Sequence, residues 1–134
     1  MSAHEMDGLE RAKLRFQIGM CEEALQDHEP SIELLQFLAE AYTLVGRYED
    51  GLRADRRLVD LCPEDAGVHY NLACSLALTG AREAAFDALG HAVDVGFEDA
   101  ELLTSDDDLC SLRADPRFEA IVRRVARRPR GEGS

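Results

Sequence analysis

The sequence contains no tryptophan, and its aromatic residues number only three tyrosines and five phenylalanines. Leucine and alanine dominate instead, which suits packed helices better than sheets, whose pleated faces favour aromatic and β-branched side chains. It also lacks a run of about 18 apolar residues, so no membrane span is expected. The opening stretch MSAHEMDGLE has neither the basic nor the apolar part of a secretory leader, and the expected compartment is the cytosol. Cysteine is present but scattered: Cys21, Cys62, Cys74 and Cys110 form no CxxC and stand near no histidine pair. That spacing argues against zinc, and a reducing compartment argues against disulfides, leaving four ordinary thiols.

Motifs of catalysis are missing as well. No GxSxG and no phosphate-binding loop occurs, and no serine has a His–Asp arrangement that the sequence supports, so neither an enzyme nor a cofactor is expected. Asp106-Asp107-Asp108 resembles a cation site only superficially, because the alternating oxygen ligands, central glycine and later glutamate of a calcium loop are not in register. It reads as a capped helix start, and no metal site is expected.

What is present in excess is negative charge. The formal balance is −12, and it is uneven. Residues 1–112 carry 24 acidic and 8 basic side chains, a balance of −16, whereas residues 113–134 carry 3 acidic and 7 basic, a balance of +4. An acidic body excludes nucleic acid, whose phosphates demand a basic stripe, and fits either plain solubility or a preference for basic partners.

The most informative positive feature is a 34-residue period. Residues 32–65 laid over 66–99 without a gap give ten identities, among them Leu38 with Leu72, Ala39 with Ala73, Gly46 with Gly80, Ala54 with Ala88 and Asp65 with Asp99. A period of this length marks repeats in which each unit is a helix–turn–helix that buries its apolar face on its neighbours. The spacing predicts helices at Gly8–Asp27, Ile32–Val45, Tyr48–Leu61, Ala66–Thr79 and Arg82–Val95, punctuated by Pro30-Ser31, Gly46, Pro63, Gly80 and Gly96. Residues 1–7 are expected to fray and 129–134 to be disordered.

Residues 32–99 resemble two tetratricopeptide repeats (TPR). The first unit supplies Leu38, Ala39, Tyr42, Gly46, Tyr48 and Pro63, and the second Asn71, Leu72, Ala73, Gly80, Ala85 and Ala92. Departures are Leu35 and His69 at the early tryptophan position, Gly51 and Leu58 for alanines, and Phe97 for the terminal proline. Gly51 should soften its helix by about 1 kcal/mol relative to alanine. His69 should pack between paired helices. Residues 96–118 are similar to the closing segment of bacterial arrays, where a shortened repeat ends in a capping helix. Asp115-Pro116 can start that helix, Phe118, Ile121, Val122 and Val125 can line its buried stripe, and Arg123, Arg124, Arg127 and Arg128 suit its C-terminal end.

The resemblance implies an all-α, right-handed α-solenoid of antiparallel helix hairpins, one TPR-like domain. Its parts are a leading helix (8–28), a first repeat (32–65), a second repeat (66–99) and a degenerate third repeat with capping helix (100–128). It also implies a concave groove lined by the first helix of each pair, with Glu33, Gln36, Glu40 and Thr43 from one unit and Tyr70, Asn71, Cys74 and Ala77 from the next. Tyr70 is the expected hydrophobic anchor. Members that grip acidic C-terminal peptides use lysine, arginine and asparagine there, and only Asn71 matches. The expected function is non-catalytic protein binding, with a basic or amphipathic peptide or helix in the groove. Two alternatives stand beside it: a small acidic chaperone for a secreted or partner protein, and a regulatory subunit of an enzyme system.

Overall fold

The computed structural model describes residues 6–127. Within them the chain is helical throughout, with no strand: α1 (Gly8–Asp27), α2 (Ile32–Leu44), α3 (Tyr48–Leu61), α4 (Ala66–Leu78), α5 (Arg82–Asp94), α6 (Ala100–Ser105), a 3-10 helix (Asp107–Leu112) and α7 (Pro116–Arg127). The expectation that residues 1–7 fray fails at its last two. Asp7 accepts from the Glu10 amide at 2.8 Å while the Glu10 carboxylate accepts from the Asp7 amide at 3.1 Å. This reciprocal cap satisfies two amide donors that the helix itself leaves open. Met6 packs against the core beside it. Residues 1–5, Arg128 and the 129–134 tail lie outside the described residues.

Local chemistry sets the remaining boundaries. Ser31 accepts from the Leu34 amide at 3.0 Å, Asp65 from Gly67 at 2.9 Å, and Asp99 from Leu102 at 2.9 Å. Three helices then stop in the same way. Gly46, Gly80 and Gly96 take φ of 83°, 85° and 119°. The residue after each donates back across the end, Arg47 to the Tyr42 carbonyl, Ala81 to Leu76 and Phe97 to Ala92. Only glycine enters that left-handed conformation without a steric penalty, so the period of the glycines is a period of chain reversals.

α2 packs on α3, α3 on α4, and α4 on α5, so the hairpins stack in chain order. Gly51 has a packing role beyond its helix propensity. A Cβ there would meet the Thr43 hydroxyl at 3.3 Å and the Ala39 carbonyl oxygen at 3.4 Å. The missing side chain lets α3 approach α2 closely.

One continuous apolar cluster then runs from Leu52 through α4 and α5 to Leu103, Leu109, Leu112 and the stripe Phe118, Ile121 and Val125 of α7. Asp115 starts α7 as its sequence suggests, accepting from the Arg117 amide at 2.9 Å. Hydrogen bonds from the Arg117 side chain hold the Asp115 carboxyl down at about 2. Arg117 also grips Glu83 at 2.7 Å, and Arg124 reaches Asp94 at 2.8 Å. These exposed pairs orient α7 but add little stability, because water and salt screen them. Burial of the apolar stripe holds it.

Candidate functional site

A groove of about 760 Å³ opens between α2, α4 and the segment from α6 into the 3-10 helix. Five of the eight residues expected to face a partner line it: Gln36, Glu40 and Thr43 from α2, and Asn71 and Cys74 from α4. They come together because each set recurs every three or four residues on one helix, and the 34-residue stack aligns the two helices. Glu33 is exposed on the first turn of α2 but does not line the groove.

Tyr70 and Ala77 point elsewhere, and the expectation of an exposed Tyr70 anchor needs correcting. Tyr70 is only 4% exposed. Its ring stacks on Phe97 with centroids 4.6 Å apart, and its hydroxyl donates to Asp106 at 2.6 Å. Ala77 belongs to the same core. The shortened third unit folds back over this side of α4, so a position open in a regular stack is covered here. Burial and the neighbouring Asp106 carboxylate both push the Tyr70 hydroxyl well above the usual phenol range. It remains a hydrogen-bond donor.

Helical spacing alone places only α2 and α4 in the site. The structure adds a wall made by Leu102, Ser105 and the Asp106–Asp108 run, and a floor made by Asp55 and Leu58 of α3. Asp106 behaves as the expected cap, accepting from the Asp108 amide at 3.0 Å. It does more, because its other oxygen holds Tyr70 and receives a weak contact from the Cys74 thiol at 3.8 Å. Arg113 donates to the Asp106 carbonyl at 2.5 Å and so fixes the wall from behind. Partial burial, and then the charges of Asp106 and Asp107, raise Asp108 above the usual carboxylate range.

Asp55 is the least expected group. It is 3% exposed and accepts from Ser75 at 2.5 Å. Burial pushes its carboxyl up to about 6 against the opposing effect of that hydrogen bond. One repeat along, Asp55 corresponds to Leu89, and Ser75 corresponds to Ala41. A matched polar pair at two positions that the other repeat fills with apolar residues was the signal that could have revealed it.

Cys74, Asp106 and Asp108 have ligand atoms within 4.8 Å of one another and form the group among the described residues that could hold a metal ion. Burial and the neighbouring carboxylates push the Cys74 thiol well above its ordinary range in the metal-free chain, so a metal held there would have to displace the thiol proton. His69 is buried, hydrogen-bonded to the Pro63 carbonyl at 2.8 Å and packed 4.3 Å from the His91 ring, a packing role as expected. No helix among the described residues is long and apolar enough to cross a membrane.

The architecture is that of the helical-repeat class. Among solved structures it is similar to that of YrrB, a TPR protein with an unusual peptide-binding site. The TM-score is 0.69 at 14% sequence identity, over 87% of this chain and 61% of that one. The chain therefore spans about three fifths of that structure's length. At this identity the likeness speaks for the fold alone. No family model matches the sequence, and no curated protein matches it.

Proposed function

We propose that the chain is a non-catalytic, cytosolic interaction module whose groove takes a basic, amphipathic segment of another protein. One observation carries the reading: Glu40, Asp55, Asp106, Asp107 and Asp108 line the groove, and no lysine or arginine does. Apolar side chains, Leu58, Leu78 and Leu102, share the lining with these acids. A segment with lysine or arginine on one side and leucine-like residues on the other satisfies both. The charge steers the encounter and sets specificity, while the apolar contacts add affinity. The peptide-binding site attributed to YrrB supports the choice of a peptide partner over a small molecule.

The test uses a synthetic amphipathic peptide of lysine and leucine, titrated into the chain at low and moderate salt. Binding should weaken as salt rises, and Glu40→Gln with Asp108→Asn should weaken it further and flatten the salt dependence. Neutralising Glu49 and Asp87 instead, two exposed acids outside the groove, should change affinity much less. Equal losses in the two double variants would mean that net charge, not the groove, attracts the peptide.

A further inference from the structure

α1 is more than a leading helix. It ends at Asp27 and α2 begins at Ile32, while α3 ends at Leu61 and α4 begins at Ala66. Both pairs of boundaries differ by 34, the period of the repeat. α1 therefore stands where the second helix of a hairpin stands. In α3, the face turned to its own partner helix is Gly51, Ala54 and Leu58, all buried, with Ala54 and Leu58 in one cluster with Leu35 and Ala39 of α2. In α5 the same positions are Ala85, Ala88 and Ala92, buried in the cluster shared with α4.

The equivalent residues of α1 are Gln17, Met20 and Ala24, and all three are exposed. Around them a shallow apolar patch is lined by Leu9, Ala12, Lys13, Phe16, Gln17 and Met20. Leu9, Phe16 and Met20 are 67%, 69% and 57% exposed. Ile18, by contrast, is fully buried against α2, with Leu14, Cys21 and Leu25 beside it. At 100° per residue Phe16 and Met20 lie on the side of the helix opposite Ile18. α1 is apolar on two opposed faces, and only one is covered.

We infer that the open face of α1 binds the α1 of a second copy of this chain, antiparallel, across a twofold axis level with the midpoint between Phe16 and Met20. The occupant follows from the charges along the helix. Arg11, Lys13 and Arg15 lie in its first half, beside a Glu10 whose carboxylate is engaged in the helix cap, and Glu22, Glu23 and Asp27 lie in its second. Glu22 is engaged within the chain, by Tyr42 and Arg47. Lys13 and Glu23 flank the apolar stripe. The twofold axis sets Phe16 against Met20 of the second copy, a favourable sulfur–aromatic contact, and Lys13 against its Glu23. It sets Ala12 against Ala24, two small residues that let the helices close. A parallel copy would oppose Lys13 to Lys13. Such a contact is self-complementary in the way an isologous interface requires, and it is independent of the groove reading.

Sedimentation equilibrium of the full chain, from micromolar to millimolar concentration, should show a monomer–dimer equilibrium. Phe16→Glu with Met20→Glu should weaken association about tenfold or more, with the helical circular dichroism unchanged because both positions are exposed. Lys13→Glu alone should also weaken it, and adding Glu23→Lys should restore it. A wild-type chain that stays monomeric throughout would overturn the inference, and so would a dimer indifferent to Phe16 and Met20. Failure of the double charge exchange to recover association would overturn it too.

Discussion

The two ends of the stack are built from the same repeat and closed in opposite ways. At the C-terminal end one uninterrupted core joins α4 and α5 to α7, and the terminal helix buries Phe118, Ile121 and Val125. At the other end α1 buries Ile18 fully and leaves Leu9, Phe16 and Met20 in solvent. A solenoid needs a covering helix wherever it stops, because each unit buries its apolar face only on a neighbour. The difference between a polar outer face on α7 and an apolar one on α1 separates a terminus that ends the stack from a terminus that can continue it.

The largest test of this comparison is deletion of side-chain volume at each end. Phe118→Ala should cost about 3–5 kcal/mol in denaturant unfolding, as expected for a ring lost from a filled core. Phe16→Ala, the same change on the open face, should fall within about 0.5 kcal/mol at concentrations where the chain is monomeric. Comparable losses would erase the distinction between the ends.

A second test uses two acids with opposite linkage. Asp55 has its folded-state carboxyl raised to about 6 from 3.8 by burial, so the folded chain holds the proton more tightly than the unfolded one. Its contribution is complete below about pH 4 and is lost as pH climbs through about 6, a swing of up to about 3 kcal/mol. Asp55→Asn should therefore gain on the wild type across that window. Asp115 has its carboxyl lowered to about 2 by Arg117, so its contribution is present above 3.8 and lost as pH falls toward 2. Asp115→Asn should lose ground above pH 4 and match the wild type in strong acid. Unfolding measured at a series of pH values reads both signs.

Smaller effects should appear at the two tyrosine ties. Tyr70→Phe leaves a part-buried Asp106 oxygen with only the weak Cys74 contact and should cost about 1–2 kcal/mol. Tyr42→Phe breaks the 2.6 Å bond that joins α2 to Glu22 of α1. Arg47 still reaches that carboxylate, so the loss there should stay below about 1 kcal/mol. The ordering follows from which end is closed, and its reversal would count against the comparison. At the bottom of the scale, Glu40→Gln should leave stability within about 0.5 kcal/mol, since the side chain is exposed.

Much of this was legible because the repeat writes its boundaries locally. Ser31, Asp65 and Asp115 cap, and Gly46, Gly80 and Gly96 reverse the chain, each through neighbours a few residues away. The ends that the spacing predicts for α2 to α5 agree with the structure to within one residue. The overshoot at Val45, Thr79 and Val95 reflects a terminal residue that still donates into the helix while leaving its dihedral angles. The groove was legible only in part. Gln36, Glu40, Thr43, Asn71 and Cys74 follow from helical spacing, whereas the burial of Tyr70 depends on Asp106, 36 residues away. Nothing local in Asp106–Asp108 announces that it will turn back over α4. The acidic wall is a product of the shortened third unit, and shortening removes the periodicity that would have predicted it.

Native-state hydrogen exchange, resolved by residue on dilute chain, tests the asymmetry of the ends most directly. The amides of α4, α5 and α7 should exchange only through global unfolding. Those of α1 should exchange through a local opening of markedly lower free energy, and their protection should rise with protein concentration. Protection of α1 equal to that of α5 in dilute solution, with no dependence on concentration, would contradict the account.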